Sequence, residues 1–315
     1  MRPRKSDLAP YPSYLPLHAS RELKRRAERA RAMLSPCRLC PRLCGADRTG
    51  GAIGTCGIGP SAVVASAGLH FGEEAHISGA RGSGALFLAG CSLRCSFCQN
   101  ASISRYVEGR ATPPEALAAL FLDLQEQGAH NLNWVTPTHC VPPLLEALAL
   151  AVEAGMRLPI VFNSSGYDAL ETLRLLDGVV DIYMPDAKFA DPACAERLAG
   201  APDYPEVNRA ALLEMARQTG PWTADGRGVA RRGVLVRHLV LPGGASGTQA
   251  MMEFLGRELP EAALSLLSQY RPHHRAMTLD GMDRPIHRGE WEAAVEAARV
   301  LGPSIQYIQP FCGAE

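Results

Sequence analysis

A short apolar run, Ala85-Leu86-Phe87-Leu88-Ala89, ends at Gly90 and opens directly into Cys91-Ser92-Leu93-Arg94-Cys95-Ser96-Phe97-Cys98. An apolar run of this length between glycines reads as a buried strand. The three cysteines therefore leave a strand end on a tight loop, in the spacing Cys-x3-Cys-x2-Cys, and any fold must accommodate three thiols there. Three thiolates are one short of the four that an ordinary iron–sulfur cluster takes. A cluster held this way leaves one iron open to a ligand that is not protein. Zinc is the competing metal, although it usually takes four closed ligands, or three plus water with His or carboxylate involved. Three buried thiols without a metal are the remaining reading.

The rest of the chain bounds the choice. Its 315 residues suffice for one large α/β domain or two smaller ones, and 47% hydrophobic with 20% charged residues suits an ordinary globular enzyme. Thirty-two basic residues balance 32 acidic ones, so global charge favours neither nucleic acid nor an anionic membrane. No apolar run reaches the length of a membrane span. The start, Met1-Arg-Pro-Arg-Lys-Ser-Asp7, is basic but lacks the apolar stretch of a secretory signal. Ten cysteines in such a chain point to metal ligands rather than a disulfide framework, and to the cytoplasm.

Residues 1–20 read as irregular, and Arg21 to Leu34 as a helix capped by Ser20. Its arginines invite a nucleic-acid reading, but Ala27, Ala30 and Leu34 make one apolar face, which favours a solvated helix lying on the domain. A second cysteine group follows, Cys37-x2-Cys40-x3-Cys44-x11-Cys56, among glycines that let a short backbone wrap a metal. Four thiolates suit structural zinc and an iron–sulfur cluster alike. Residues 61–84 read as a β ribbon. From there strands and helices alternate: helix from a Thr112 cap to Gln127, strand 131–135, helix 144–154, strand 159–162, helix 168–176 and strand 179–184. Helices at 193–198 and 206–218 interrupt the rhythm. Strand 234–240, helix 249–259, strand 264–267, a last helix 290–300 and a short strand 305–308 complete it. Six strand–helix units predict a parallel sheet with right-handed crossovers.

The cysteine spacing, with an aromatic residue before the third cysteine, resembles the signature of the radical S-adenosylmethionine (SAM) superfamily. Gly82-Ser-Gly-Ala-Leu-Phe-Leu-Ala-Gly-Cys91 and Cys98-Gln-Asn100 look most like pyruvate formate-lyase activating enzymes and their uncharacterised relatives. The resemblance covers about residues 35–275. It implies a partial (β/α)6 barrel at residues 81–275, after an N-terminal extension at 1–34 and a Cys-rich segment at 35–80, with a C-terminal helix and tail at 276–315. It also implies a 4Fe-4S cluster on Cys91, Cys95 and Cys98, its open iron chelated by SAM, and reductive cleavage to a 5'-deoxyadenosyl radical that abstracts hydrogen. Similar Cys-rich segments precede this motif in some relatives, so Cys37, Cys40, Cys44 and Cys56 are expected to hold zinc or a second iron–sulfur cluster.

Loops at the C-terminal ends of parallel strands build such a site, and the unusual residues fall there. Thr136-Pro137 replaces the glycines of a Gly-Gly-Glu-Pro motif that meets the SAM amino group in the family; its acidic residue is missing. His139 and Cys140 beside it are metal-ligand candidates or plain pocket wall. Asn163-Ser164-Ser165-Gly166 has the short polar side chains that suit a ribose or carboxylate, or an ordinary turn. Asp186-Ala-Lys188 resembles an Asp-x-Lys segment that contacts SAM and substrate backbone. Arg237, in Arg-x4-Pro-Gly, resembles the arginine that approaches the SAM carboxylate; an ion pair with Asp186 is the plain alternative. Phe97 and Asn100 join these expected SAM contacts. Arg271 stands where the activating enzymes carry a functional histidine, with His273 and His274 as possible substitutes; no catalytic residue is assigned. Activation of a glycyl-radical protein, fed by a donor such as flavodoxin or ferredoxin, is the implied activity. The rivals are radical SAM modification of another protein or small molecule, a two-cluster electron-transfer module, and a zinc-ribbon nucleic-acid binder.

Overall fold

A computed structural model describes residues 11–314. Among these the strands are β1 (Ala62–His70), β2 (Ser83–Leu88), β3 (Arg110–Thr112), β4 (Leu132–Val135), β5 (Ile160–Ser164), β6 (Ile182–Pro185), β7 (Thr223–Ala224), β8 (Ala230–Leu239), β9 (Ala263–Leu267) and β10 (Ile305–Ile308). They form one sheet in the order β10-β9-β8-β6-β5-β4-β2-β1-β3, with β7 hung on β8. Along the order from β10 to β2 every pairing is parallel, while β1 runs antiparallel to β2 and β3, and β7 antiparallel to β8. The six expected core strands are all present, and the terminal strand extends the sheet as a seventh parallel member. Residues of β2 and of β10 line the same cavity, so the sheet curls into a partial barrel.

Successive strand residues point to opposite faces. Ile160 and Phe162 of β5 pack outward with Tyr183, Val234, Val236, Leu264 and Leu266 against the helices. Val161, Ile182, Met184, Leu235 and Ala263 face inward, where Ile77 and Trp222 join them and close the floor. Above that floor the inward positions turn polar, with Asn163, Arg237 and Ser265. The cavity begins where the apolar layer ends.

Several boundaries differ from the sequence expectations, each for a local reason. Ser20 does not cap the basic helix; its hydroxyl donates to Pro16 O and Leu17 O, closing the short helix Leu15–Ala19. The basic helix spans Glu22–Ala32 and buries Leu23, Ala27 and Ala30. Its arginines pair with Glu22 or Glu146 or reach the Leu175 and Asp177 carbonyls, so it lies on the domain as expected. Residues 11–20 are partly helical rather than irregular, and residues 1–10 lie outside the described residues. Thr112 belongs to β3 and donates to Arg110 O, leaving Pro113 to open the helix Pro114–Glu126. Helix Val141–Glu153 begins three residues early because Pro142 and Pro143 occupy its first turn, where a missing N–H costs nothing.

Asp168 ties two strand-end loops together. Its carboxylate accepts from Thr138 Oγ1 at 2.6 Å, after β4, and from Ser164 Oγ at 2.6 Å, on β5. Burial pushes its carboxyl up to about 6, against the pull of those hydroxyls. The folded chain therefore keeps this proton while the unfolded chain loses it, and stability falls as pH rises from about 4 to 6. Asp168→Asn is expected to flatten that decline by on the order of 2–3 kcal/mol, read from urea denaturation at pH 4, 5, 6 and 7. An unchanged slope would remove Asp168 as its source.

Candidate active site

The cysteine loop leaves β2 as the sequence requires. Gly90 carries φ +83°, and a Cβ there would stand 2.6 Å from Cys56 O and 3.1 Å from His139 Nε2, so the exit from the strand needs glycine. Cys91, Cys95 and Cys98 all line a cavity of about 890 Å3 at the C-terminal ends of the parallel strands. Burial pushes the thiols of Cys91 and Cys95 up to about 11 and about 12. A metal here must displace protons to bind. Phe97 wedges between Phe189 and Tyr270 in edge-on contacts, which fixes the loop.

Each expected SAM contact borders this cavity: Phe97 and Asn100 from the loop, Thr136 after β4, Asn163 and Ser165 at β5, Asp186 and Lys188 after β6, and Arg237 on β8. Lys188 Nζ bonds Asp186 Oδ2 at 2.5 Å. Burial opposes the ammonium most strongly, but the Asp186 charge and hydrogen bond together with the nearby Cys95 and Cys98 sulfurs outweigh it and hold Lys188 above its usual range. His238, one residue along from Arg237, points the opposite way and is spent on Ala187 O and Thr248 Oγ1.

Arg237 does not take Asp186 as its partner. It pairs with Glu73 and with Glu74, the latter through Nε at 2.9 Å and Nη2 at 2.6 Å. Glu73 also accepts from Asn133 Nδ2 at 3.1 Å and Asn163 Nδ2 at 3.4 Å. Burial alone raises the Glu74 carboxyl; the Arg237 charge and hydrogen bonds reverse it, so the net direction is down. These two acids sit between β1 and the short helix Ala75–Ser78, inside a segment the sequence pattern offers only as β ribbon. Adjacent glutamates in a Gly-rich approach to a strand are the one signal that could have flagged them.

Other candidates fall elsewhere. His139 and Cys140 are buried behind the loop, with His139 Nε2 2.8 Å from Ala89 O and burial lowering its ring to about 4. They are wall rather than lining. Arg271 turns away to the Tyr270 and Cys312 carbonyls. His274 borders a smaller recess with Cys56 and Cys91, and His273 borders neither; Gln269 and Tyr270 face the main cavity instead. Cys37, Cys40, Cys44 and Cys56 stand outside that cavity.

The lining fits a cluster and its nucleoside ligand. Ser165 Oγ is buried on the cavity wall without a protein partner, and so are the hydroxyls of Ser92 and Ser96 inside the cysteine loop. Buried donors rarely stay unpaired, and Ser165 lines the cavity itself. The radical SAM superfamily model matches residues 86–243, half of the chain. The chain belongs to that superfamily, whose chemistry rests on a 4Fe-4S cluster and SAM.

An uncharacterized protein of Methanocaldococcus jannaschii is 29% identical over 249 residues, covering 76% of this chain and 68% of that one. A radical SAM methyltransferase from Sphaerobacter thermophilus is similar at 16% identity and a TM-score of 0.48, over 72% of this chain and 66% of that structure. SuiB of Streptococcus suis, bound to precursor peptide SuiA, is similar at 10% identity and a TM-score of 0.45, over 70% and 46%. The chain thus spans just under two thirds of the first structure and under half of the second. No helix among the described residues is long and apolar enough to cross a membrane.

Removing one member of a buried ion network strands the others, at a cost of about 3–5 kcal/mol. Arg237→Gln is expected to destabilise the chain by that order in urea denaturation. Adding Glu73→Gln and Glu74→Gln should restore much of the loss. A triple variant no better than the single one would show that the carboxylates do not depend on Arg237.

Proposed function

We propose that Cys91, Cys95 and Cys98 hold a 4Fe-4S cluster beside SAM, and that the chain uses them to take a hydrogen atom from a glycine Cα of a polypeptide. The carrying observation is one cavity that joins the thiols of Cys91, Cys95 and Cys98 to Ser165, Asp186, Lys188 and Arg237. When bound and reduced, the cluster and SAM supply a 5'-deoxyadenosyl radical.

The chain's own groups do the rest. Ser165 and Asn163 offer short polar side chains to a ribose or carboxylate from the β5 end. Arg237, already fixed by two carboxylates, presents a permanent charge on the concave face; its guanidinium has five N–H donors, enough to serve a ligand carboxylate as well. Asp186 and Lys188 set an acceptor and a donor two residues apart, which matches the N–H and C=O of an extended backbone. This pairing, with its similarity to the Asp-x-Lys segment of the activating enzymes, supports a polypeptide substrate. A cavity of about 890 Å3 lies within the usual range for ligand pockets. Beside SAM it leaves room for an extended strand, not a folded domain, so the target glycine must sit on a loop or terminus that can enter. A one-electron donor such as flavodoxin or ferredoxin completes the requirement.

Anaerobically reconstituted chain, reduced with SAM in a cell extract whose proteins carry deuterated glycine, tests the substrate. Deuterium in the 5'-deoxyadenosine produced is the expected outcome. Unlabelled 5'-deoxyadenosine that rises with the extract would move the reading to another protein site or a small molecule.

A further inference from the structure

A smaller recess, of about 230 Å3, opens beside the cysteine loop. Four segments far apart in the chain meet there. Cys91 N–H donates to Cys56 O at 3.1 Å, and Arg94 Nη2 donates to Thr55 O at 3.0 Å, so the loop is tied to the Cys-rich segment. The turn His274–Thr278 seats on the same loop through Ala276 N–H, which donates to Ser96 O at 3.0 Å. Tyr106, which ends the short helix Ala101–Arg105, meets the His274 ring edge-on at 6.3 Å.

The recess collects one sign of charge. Arg94, Arg105, Arg275 and His274 line it, and no Asp or Glu does. None of the three arginines has a carboxylate partner among the described residues. Arg94 and Arg275 are exposed, and water can solvate them. Arg105 is half-buried. Its Nη1 and the Nε2 of His274 are both buried, and neither meets a protein partner. Buried polar groups rarely stay unpaired, and a buried charge is costly without a counter-charge. The residues of the recess therefore lack an anion.

We propose that this recess binds the phosphoryl group of a small-molecule ligand. Guanidinium forks take phosphate oxygens in paired, parallel hydrogen bonds. A phosphoryl group brings roughly two negative charges and three acceptor oxygens, where a carboxylate brings a single charge. That count suits several arginines gathered without an acid among them. The volume lies below the usual range for a whole drug-sized ligand, so the recess fits the charged end of a molecule whose remainder lies outside it. Cys91 and Ser104 border both this recess and the main cavity. A ligand anchored here thus lies against the wall of the active cavity. The site stands on the chain's own side chains and does not rest on the glycine Cα reading.

Inorganic phosphate is the probe, titrated calorimetrically into the anaerobically reconstituted full chain at constant ionic strength, with acetate as the comparison. Saturable phosphate binding is expected, with acetate about tenfold weaker or more. Arg105→Gln and Arg275→Gln should each weaken phosphate about tenfold or more, the scale of one hydrogen bond to a charged group. Arg299→Gln, at an exposed arginine of the helix Arg288–Leu301 outside the recess, should leave it unchanged. Circular dichroism equal to the parent's shows that a variant folds; should Arg105→Gln fail, the exposed Arg275 position carries the test. Arginines already spent on cluster charge would leave no saturable binding, which would overturn the proposal. Acetate binding as tightly as phosphate, or an equal loss in Arg299→Gln, would overturn it as well.

Discussion

A guanidinium sits between two carboxylates on the inner face of a half-closed barrel, and much of the site follows from that. Strand alternation turns Arg237 inward, where water is scarce and a lone charge is costly. Its counter-charges come from Glu73 and Glu74, on the link between β1 and β2. Satisfying Arg237 therefore draws this link into the barrel. The short helix that follows brings Ile77 onto the apolar floor with Trp222. The floor closes from below, and the polar layer above it is left facing the cysteine loop.

The parallel sheet was legible because its strands are short apolar runs separated by helical ones, and tertiary packing merely moved their ends by a few residues. The cysteine loop was legible for a stronger reason: the chemistry of three thiols at a strand exit admits few alternatives. Strand-end positions such as Ser165, Asp186 and Arg237 could be assigned to one cavity from topology alone. Glu73 and Glu74 could not, because nothing local in their segment says that it folds back under the sheet. Caps were missed for a related reason. The hydroxyls of Ser20 and Thr112 each found a backbone carbonyl in a preceding turn or strand, and local competition of that kind leaves no mark in spacing.

Two groups of thiols meet at one backbone hydrogen bond, Cys91 to Cys56, and their ligand numbers differ. The set of three lies on the cavity that Ser165, Asp186, Lys188 and Arg237 also line. The set of four stands outside that cavity, with the guanidinium of the buried Arg48 3.7 Å from Cys37 Sγ.

The central claim is that the three-cysteine loop carries the radical chemistry. Its most direct test is the yield of 5'-deoxyadenosine from SAM under anaerobic reduction, in the reconstituted parent and in Cys95→Ala. Product from the parent and none from the variant is the predicted result. A parent that keeps an intact, reducible cluster yet neither binds SAM nor yields product would contradict the account.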